Sequence, residues 1–287
     1  MTNKAGRMAS SEERAEVEGY VPEAIVDGVR KVTVLCPQPD VWPEEPFVDV
    51  MNIVDRAEPA LLSGLPILLT GSPGAGKTSV VRVLAERWGA PVFSCQGHGD
   101  LSPTDLGCKI RLDVDPGGRL VASPLVCALL KGSVFLFDEL TRAPERSLAL
   151  LASVLDGRKS LDSDIAGIKI GRAHPRFRMF ATANAADREL SSWIRTRLPV
   201  KIAVPLPNAA QLTVIVNAHF SGSAYNALLE AFRAWGRGRD GLAPRTAISM
   251  IRWADGKRRL MGGASLSPAG ARRLIEEAAA LIVEEGA

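Results

Sequence analysis

With 287 residues, 46% of them hydrophobic and 23% charged, the chain is long enough to bury a full core and has the composition of an ordinary globular protein. Its net charge of +3 is too small to indicate a nucleic-acid-binding protein by itself, and no apolar run is long enough to cross a bilayer. Residues 1–18 are polar and do not resemble a signal peptide, so we expect a soluble, cytoplasmic protein. The four cysteines contain no C-x-x-C pair and are expected to be free, buried thiols.

The N-terminal segment precedes the first regular pattern. Residues 1 to about 17 are expected to be disordered, because they carry many charges and few apolar side chains. The proline-rich remainder is expected to be a connector that holds at most one strand, at 32–34. We therefore assign residues 1–46 to a disordered tail and connector.

Strand and helix patterns alternate from residue 47 to 206. Apolar residues at helical spacing occur at 48–62 and 77–88, and short apolar runs typical of strands occur at 66–70, 91–95, 133–137, 177–183 and 200–204. This order predicts an α/β core, a parallel sheet flanked by helices. Two segments, at about 109–123 and 159–170, interrupt the order and are predicted as hairpins, with turns at 115–118 and 164–167.

Strand signals stop after residue 207. The remainder, 207–287, has helical spacing broken by glycine and proline near 236–244 and 262–268. It is predicted to be a small all-helical domain, here called the lid.

The strongest motif lies between the first predicted core strand and the helix after it. It matches G-x-x-x-x-G-K-[ST] at every defined position, which is the pattern of a phosphate-binding P-loop. Backbone N–H groups of such a loop surround phosphate oxygens, the lysine reaches the outer phosphates and the hydroxyl binds Mg²⁺. The predicted nucleotide-binding residues are Gly71, Ser72, Pro73, Gly74, Ala75, Gly76, Lys77 and Thr78.

Two later strands also end in polar residues. The strand at 133–137 is followed by Asp138, which is suited to hold Mg²⁺ together with Thr78, and by Glu139, which is suited to polarise an attacking water. The strand at 177–183 is followed by Asn184, which could orient that water if the strand is adjacent to the P-loop strand. On its own, Asn184 would equally fit a residue that forms a turn.

Four strings of this chain resemble the MoxR branch of the AAA+ ATPases, and within it the CbbQ/NorQ/CobS-like group. They are GSPGAGKT at 71–78, FDELTRAPERS at 137–147, HPRFRMFATANA at 174–185 and APRTAI at 243–248. The resemblance covers about residues 47 to 251 and implies an AAA+ fold with a helical lid, ATP and Mg²⁺ as ligands, and ATP hydrolysis. It also implies that Asn184 is the residue called sensor 1 and that Arg245 is sensor 2, which contacts the γ-phosphate from the lid.

The same resemblance implies an arginine that acts on the ATP of a neighbouring subunit. The family's Leu-Asp-Arg-Phe-like string is replaced here by residues 194–198, in which Arg197 keeps the arginine but the flanking acid and aromatic residue are missing. Arg197 is the first choice, with Arg195 and Arg142 as alternatives. An arginine that acts between subunits implies a homo-oligomer, which in this family is a hexameric ring.

Three functions are compatible with these motifs. The first is an ATP-driven ring that remodels or activates a separate protein, for which the family implies a partner with a von Willebrand A domain and a role in metal insertion or enzyme activation. The second is a nucleic-acid motor or loader, which the mixed charge of the two predicted hairpins disfavours. The third is a nucleotide-gated scaffold with little turnover, which the altered string around Arg197 keeps open.

Overall fold

The computed structural model describes residues 20–27, 30–111, 119–163, 168–184, 186–187, 189–263 and 265–284. The disorder expected for residues 1–17 and the hairpin turns expected at 115–118 and 164–167 lie outside these ranges. Within them, no helix combines the length and the apolar character needed to cross a membrane.

The strands of the described residues are β1 (Tyr20–Asp27), β2 (Arg30–Pro37), β3 (Ile67–Gly71), β4 (Val92–Gln96), β5 (Cys108–Arg111), β6 (Arg119–Ala122), β7 (Val134–Asp138), β8 (Leu161–Ser163), β9 (Ile168–Ile170), β10 (Arg178–Asn184) and β11 (Val200–Ala203). The helices are α1 (Ile53–Ser63), α2 (Lys77–Trp88), α3 (Pro103–Leu106), α4 (Pro124–Lys131), α5 (Glu145–Leu148), α6 (Ala152–Leu155), α7 (Ser192–Arg197), α8 (Ala209–His219), α9 (Asn226–Gly236), α10 (Pro244–Leu260) and α11 (Pro268–Ala279). Short 3-10 turns follow β7 and α5 and precede α9.

The central sheet has the strand order β11-β3-β10-β7-β4, and every neighbouring pair in it is parallel. Side chains alternate between two apolar clusters, as β7 illustrates. Val134 and Leu136 pack with α1 and α2 on one face, whereas Phe135 and Phe137 pack with α4 on the other. The predicted parallel sheet flanked by helices is thereby confirmed. Because all five strands run the same way, their carboxyl ends meet at one edge of the sheet.

A second sheet has the order β1-β2-β6-β5, and it corrects the predicted connector. Residues 20–27 and 30–37, assigned to a tail and connector, form an antiparallel hairpin, and β2 pairs in parallel with β6 of the first insertion. The physical reason is burial, since Val34, Leu35 and Cys36 are at most 2% exposed. One partner of β2 is the neighbouring strand β1, but the other, β6, is distant in sequence and cannot be read from local patterns.

The C-terminal helices α8 to α11 enclose an apolar cluster of their own. Its members include Leu228, Met250, Ile251 and Ile275, all fully buried. The lid therefore has its own core, and its position over the carboxyl edge of the sheet is described below.

The basic residues of α10 from Arg252 onward are paired with acids. Asp255 is 5% exposed and accepts hydrogen bonds from Arg258, while Arg259 lies 2.8 Å from its second oxygen. Arg252 pairs with Glu45 of the connector at 3.0 Å. These cations are thus largely neutralised within the chain and do not form a free basic stripe of the kind that phosphate backbones require.

Candidate functional site

The P-loop leaves the sheet at the end of β3 and enters α2 at Lys77. Gly74 and Gly76 have φ of 74° and 96°, a left-handed conformation that side chains disfavour. At Gly71, an added Cβ would lie 2.2 Å from the carbonyl oxygen of Val204, so the loop also needs glycine where it passes β11. The motif glycines are therefore required by the backbone path that the loop takes.

Lys77 is buried, with 7% of its surface exposed, and its ammonium lies within the loop. The Nζ atom donates to the carbonyl oxygens of Gly71 at 2.8 Å and Ser72 at 2.9 Å, and to Oδ1 of Asn184 at 3.0 Å. Burial lowers the pKa of Lys77, and the positive charge of Arg245 lowers it further. The negative charges of Asp138, Glu139 and Asp187 raise the pKa, but by less than burial and Arg245 together lower it. This cation lacks an ion pair among the described residues and is placed where phosphate charge would compensate it.

The two acids follow one another at the end of β7. Asp138 is the last residue of the strand, and Glu139 turns the chain away with a φ of 52°, which is uncommon for a residue other than glycine. The hydroxyl of Thr182, on the neighbouring strand β10, donates to Oδ1 of Asp138 and accepts the backbone N–H of Glu139 at 2.9 Å. The acids are therefore fixed relative to each other by a group on a different strand.

The carboxylate of Glu139 has two partners in this structure. Nε2 of Gln96, at the end of β4, donates to Oε2 at 2.6 Å, and Nη1 of Arg142 lies 2.9 Å from the same oxygen. One of the three candidate intersubunit arginines, Arg142, thus contacts the acid of its own chain.

Asn184 ends β10 between the P-loop and the acids. Its side-chain oxygen accepts a hydrogen bond from Lys77. Its backbone N–H donates to Oδ2 of Asp187 at 3.3 Å, and the same carboxylate oxygen accepts a hydrogen bond from the hydroxyl of Thr141 at 2.5 Å. The sequence predicts a role for Asn184 on condition that its strand adjoins the P-loop strand, and β10 does pair with β3. It predicts no role for Thr182, Gln96 or Asp187. Thr182 lies two positions before Asn184, so the two side chains are on the same face of β10. This spacing is the sequence signal that could have indicated a role for Thr182.

Arg245 lies at the start of α10, against the P-loop. An added Cβ at Gly74 would lie 3.2 Å from the Cβ of Arg245 and 3.3 Å from that of Ala243. Between the connector, the P-loop, the strand ends and the lid is a cavity of about 670 Å³, and its walls include Lys77, Thr78 and Asp138. The cavity volume is within the range of small-ligand sites.

The other two candidate arginines lie on α7, outside the walls of this cavity. Nη1 of Arg197 donates to the backbone oxygen of Trp193 at 3.1 Å and its guanidinium lies over that ring, while Arg195 pairs with Glu189 at 3.3 Å. The structure does not bring either of them to the P-loop of the same chain.

The donor set at the acids fits Mg²⁺. Among the described residues there is no group of three or more His, Cys, Asp or Glu side chains that could hold a metal, so no all-protein cage is formed there. The cavity instead offers the hydroxyl of Thr78 and the carboxylate of Asp138, whose Oδ2 accepts no hydrogen bond from the described residues. Mg²⁺ in phosphate sites uses one or two such oxygens together with substrate phosphates and water.

Comparisons with known proteins identify the family to which the sequence is similar. Residues 66–198 match the family described as "AAA domain (dynein-related subfamily)". The chain is 30% identical over 226 residues to Protein NorQ of Paracoccus denitrificans, covering 78% of this chain and 76% of NorQ. It is 30% identical over 149 residues to Protein MoxR of the same species, covering 50% of this chain and 42% of MoxR.

A solved structure of a RuvB mutant from Thermotoga maritima superposes with a TM-score of 0.55 at 19% sequence identity. The superposition covers 82% of this chain and 73% of that one. At this identity the likeness concerns the fold alone, and it extends beyond the central sheet to most of the chain.

Proposed function

This chain belongs to the MoxR family of AAA+ ATPases, and from that premise we propose that it hydrolyses ATP to ADP and phosphate. We propose further that it acts as an oligomeric ring, in the form of a hexamer, and uses this cycle to remodel or activate a separate partner protein. The single observation that carries the proposal is the convergence of Lys77, Asn184 and the acid pair Asp138 and Glu139 at one edge of the sheet.

Each residue has a distinct role in this proposal. The amides of the P-loop and Lys77 bind the β- and γ-phosphates, while Thr78 and Asp138 would hold Mg²⁺, which when bound neutralises charge on the phosphate oxygens. Glu139 accepts a proton from the attacking water, and Asn184 orients that water. Arg245 would contact the γ-phosphate from the lid, so that the lid position depends on the nucleotide.

Catalysis would consist of positioning and charge stabilisation, without a covalent intermediate. In the present geometry Oε2 of Glu139 contacts both Gln96 and Arg142, so the side chain must release these partners if that oxygen is to accept a proton from water. Lys77 would exchange the carbonyl oxygens of its own loop for phosphate oxygens. Both changes use side chains alone and leave the sheet intact.

The test compares ATP turnover and nucleotide binding in matched variants. We expect Glu139→Gln to abolish turnover and retain binding of a fluorescent ATP analogue, and Lys77→Ala to weaken binding itself. Glu86→Gln and Lys201→Ala, which change an exposed acid on α2 and an exposed lysine on β11, are the controls and should behave like the wild type. If the wild type shows no turnover above Glu139→Gln, the proposed hydrolysis is wrong.

The ring is tested through Arg197, our first choice for the intersubunit arginine. Arg197→Ala should bind nucleotide but lose turnover by a factor of roughly 10³ or more. Mixing it with Glu139→Gln should restore activity, since roughly a quarter of randomly formed interfaces would combine an intact Glu139 with an intact Arg197. No restoration in a mixture that forms stable oligomers would refute action between subunits.

The partner is proposed to be a separate chain with a von Willebrand A domain, and the role to be metal insertion or enzyme activation. Family membership supports an ATPase with a regulatory or chaperone-like role in general. The Glu139→Gln variant, held with ATP, is the form in which to measure binding of a purified candidate partner, and a Lys77→Ala control should not bind it.

A further inference from the structure

Thr182 lies between the P-loop strand and the acid pair and contacts both acids, although it belongs to neither motif. It is the fifth residue of β10 and is fully buried, at 0% exposure. Strand β10 lies between β3, which carries the P-loop, and β7, which carries the acids. Thr182 and Asn184 are two positions apart and so share a face of the strand. One strand end therefore supplies one contact toward the lysine and another toward the acids.

The hydrogen bonds of Thr182 can be assigned a direction. An ionised Asp138 carboxylate can only accept, so the hydroxyl proton of Thr182 points to Oδ1 of Asp138. The backbone N–H of Glu139 can only donate, so it takes a lone pair of the same hydroxyl at 2.9 Å. A single oxygen atom thus links the side chain of the first acid to the backbone of the second.

The backbone at Glu139 needs this support. Its φ of 52° places a residue other than glycine in the left-handed region. The flanking peptide is held by the N–H of Gly97, which donates to the carbonyl of Asp138 at 2.7 Å, and by the N–H of Arg142, which donates to the carbonyl of Glu139 at 2.9 Å. Thr182 completes the set by accepting the remaining N–H, and this turn sets the direction in which the Glu139 side chain leaves the strand.

We propose that Thr182 is a positioning residue for ATP hydrolysis, which orients Asp138 toward Mg²⁺ and fixes the turn that aims Glu139 at the attacking water. The inference rests on the proposed ATPase activity. By taking Oδ1 of Asp138, the hydroxyl leaves Oδ2 as the oxygen available to the metal and its water. By holding the N–H of Glu139, it prevents the turn from relaxing and so fixes the direction in which the side chain leaves the strand.

The alternative is that Thr182 is simply a small core residue that fills space between β3 and β7. Valine has nearly the same shape without the hydroxyl, so Thr182→Val separates the two roles. Thr182→Ser keeps the hydroxyl and should rescue function if positioning is the role. The matched control is Thr213→Val, which removes a threonine hydroxyl that donates to the carbonyl of Ala209 within α8 of the lid.

Three properties of the 287-residue chain are measured. The first is ATP turnover as a function of Mg²⁺ concentration, and the second is the affinity for a fluorescent non-hydrolysable ATP analogue in the presence of Mg²⁺ or of EDTA. The third is the melting temperature. For Thr182→Val we expect turnover at saturating ATP to fall about 10- to 100-fold, as with other residues that orient a metal ligand. Affinity in EDTA should stay unchanged, and the gain in affinity on adding Mg²⁺ should shrink several-fold. Thr182→Ser and Thr213→Val should remain within about threefold of the wild type in turnover.

The outcomes are distinguishable. Wild-type turnover no higher than that of Glu139→Gln would refute the proposed hydrolysis, whereas normal turnover and normal Mg²⁺ response in Thr182→Val would refute only the role of Thr182. Equal losses in Thr182→Ser and Thr182→Val would show that shape matters and not the hydroxyl. Should Thr182→Val fail to fold, Thr182→Ser and Thr182→Ala, which differ only in the hydroxyl, provide the same comparison.

Discussion

Arg142 is the residue at which the structure and the family resemblance lead to opposite expectations. As an intersubunit arginine it would accelerate hydrolysis, whereas here it contacts the proposed general base of its own chain, with Nη1 2.9 Å from Oε2 of Glu139. The side chains are 54% and 24% exposed, so the pair is partly screened by solvent. We predict that Arg142→Ala raises basal ATP turnover, because it removes one of the two groups that occupy Oε2 of Glu139.

The size of the effect follows from the exposure of the pair. A partly exposed ion pair is worth about 0.2–1 kcal/mol. If Glu139 must leave Arg142 before the chemical step, removing the pair lowers the barrier by that amount, which is a factor of about 1.4 to 5 in rate. Gln96 stays in place, so the release is partial and the variant should not exceed this range.

The assay is steady-state ATP turnover at low and high ionic strength. Salt weakens exposed ion pairs, so wild-type turnover should approach that of Arg142→Ala as salt is raised. Arg146→Ala, which removes an exposed arginine on α5, is the control and should leave both turnover and its salt dependence unchanged. A loss of turnover of a hundredfold or more in Arg142→Ala, on the scale of about 10³–10⁵ known for intersubunit arginines, would refute the reasoning and make Arg142 the acting arginine.

The remaining predictions concern stability and thiol chemistry. Arg178 is 7% exposed and donates to backbone carbonyls that include those of Leu61 and Phe177, so Arg178→Met should lower the free energy of unfolding by about 2–4 kcal/mol in urea titrations. The control is Arg176→Met, which replaces an exposed arginine two residues before Arg178 and should lower the free energy of unfolding by less than about 1 kcal/mol. Equal losses of stability in the two variants would contradict the argument. Burial raises the thiol pKa from 9.0 to about 12 for Cys108 and to about 11 for Cys95, so native protein at pH 8 should resist iodoacetamide and react fully only when unfolded. Because the folded state disfavours these thiolates, their contribution to stability should decline as the pH rises from 9.0 toward these values. Fast labelling of the buried Cys108 in the native protein would contradict the burial on which this prediction depends.

The central sheet could be predicted from the sequence because its signals are local. The run before Asp138 is apolar at every position, which is typical of a strand covered on both faces, and Lys77 donates to carbonyl oxygens only five and six residues before it. The positions of Asp138 and Asn184 at one edge follow from the parallel strand order alone. These parts of the site depend on short stretches of chain, and so pattern reasoning reaches them.

The parts that escaped prediction depend on partners distant in sequence. Thr182 resembles any threonine in a buried strand until β10 is placed beside β7. Gln96 ends a strand whose neighbour is fixed only in the folded sheet, and there it meets Glu139. The N-terminal hairpin is local, but its second strand β2 joins the sheet through β6, which lies more than 80 residues later in the chain. Periodicity describes one element at a time and does not identify which elements become neighbours.

The parallel pairing of β2 with β6 has a consequence for how the protein is made. The ribosome releases β2 before its parallel partner β6, which emerges only after the P-loop, α2 and β4 have left the exit tunnel. Until then the apolar side chains of Val34, Leu35 and Cys36 have no permanent cover, and such strands are prone to pair with the wrong chain. We expect the hairpin to dock late in synthesis, so a bulky fusion at the N-terminus should slow maturation more than the same fusion at the C-terminus.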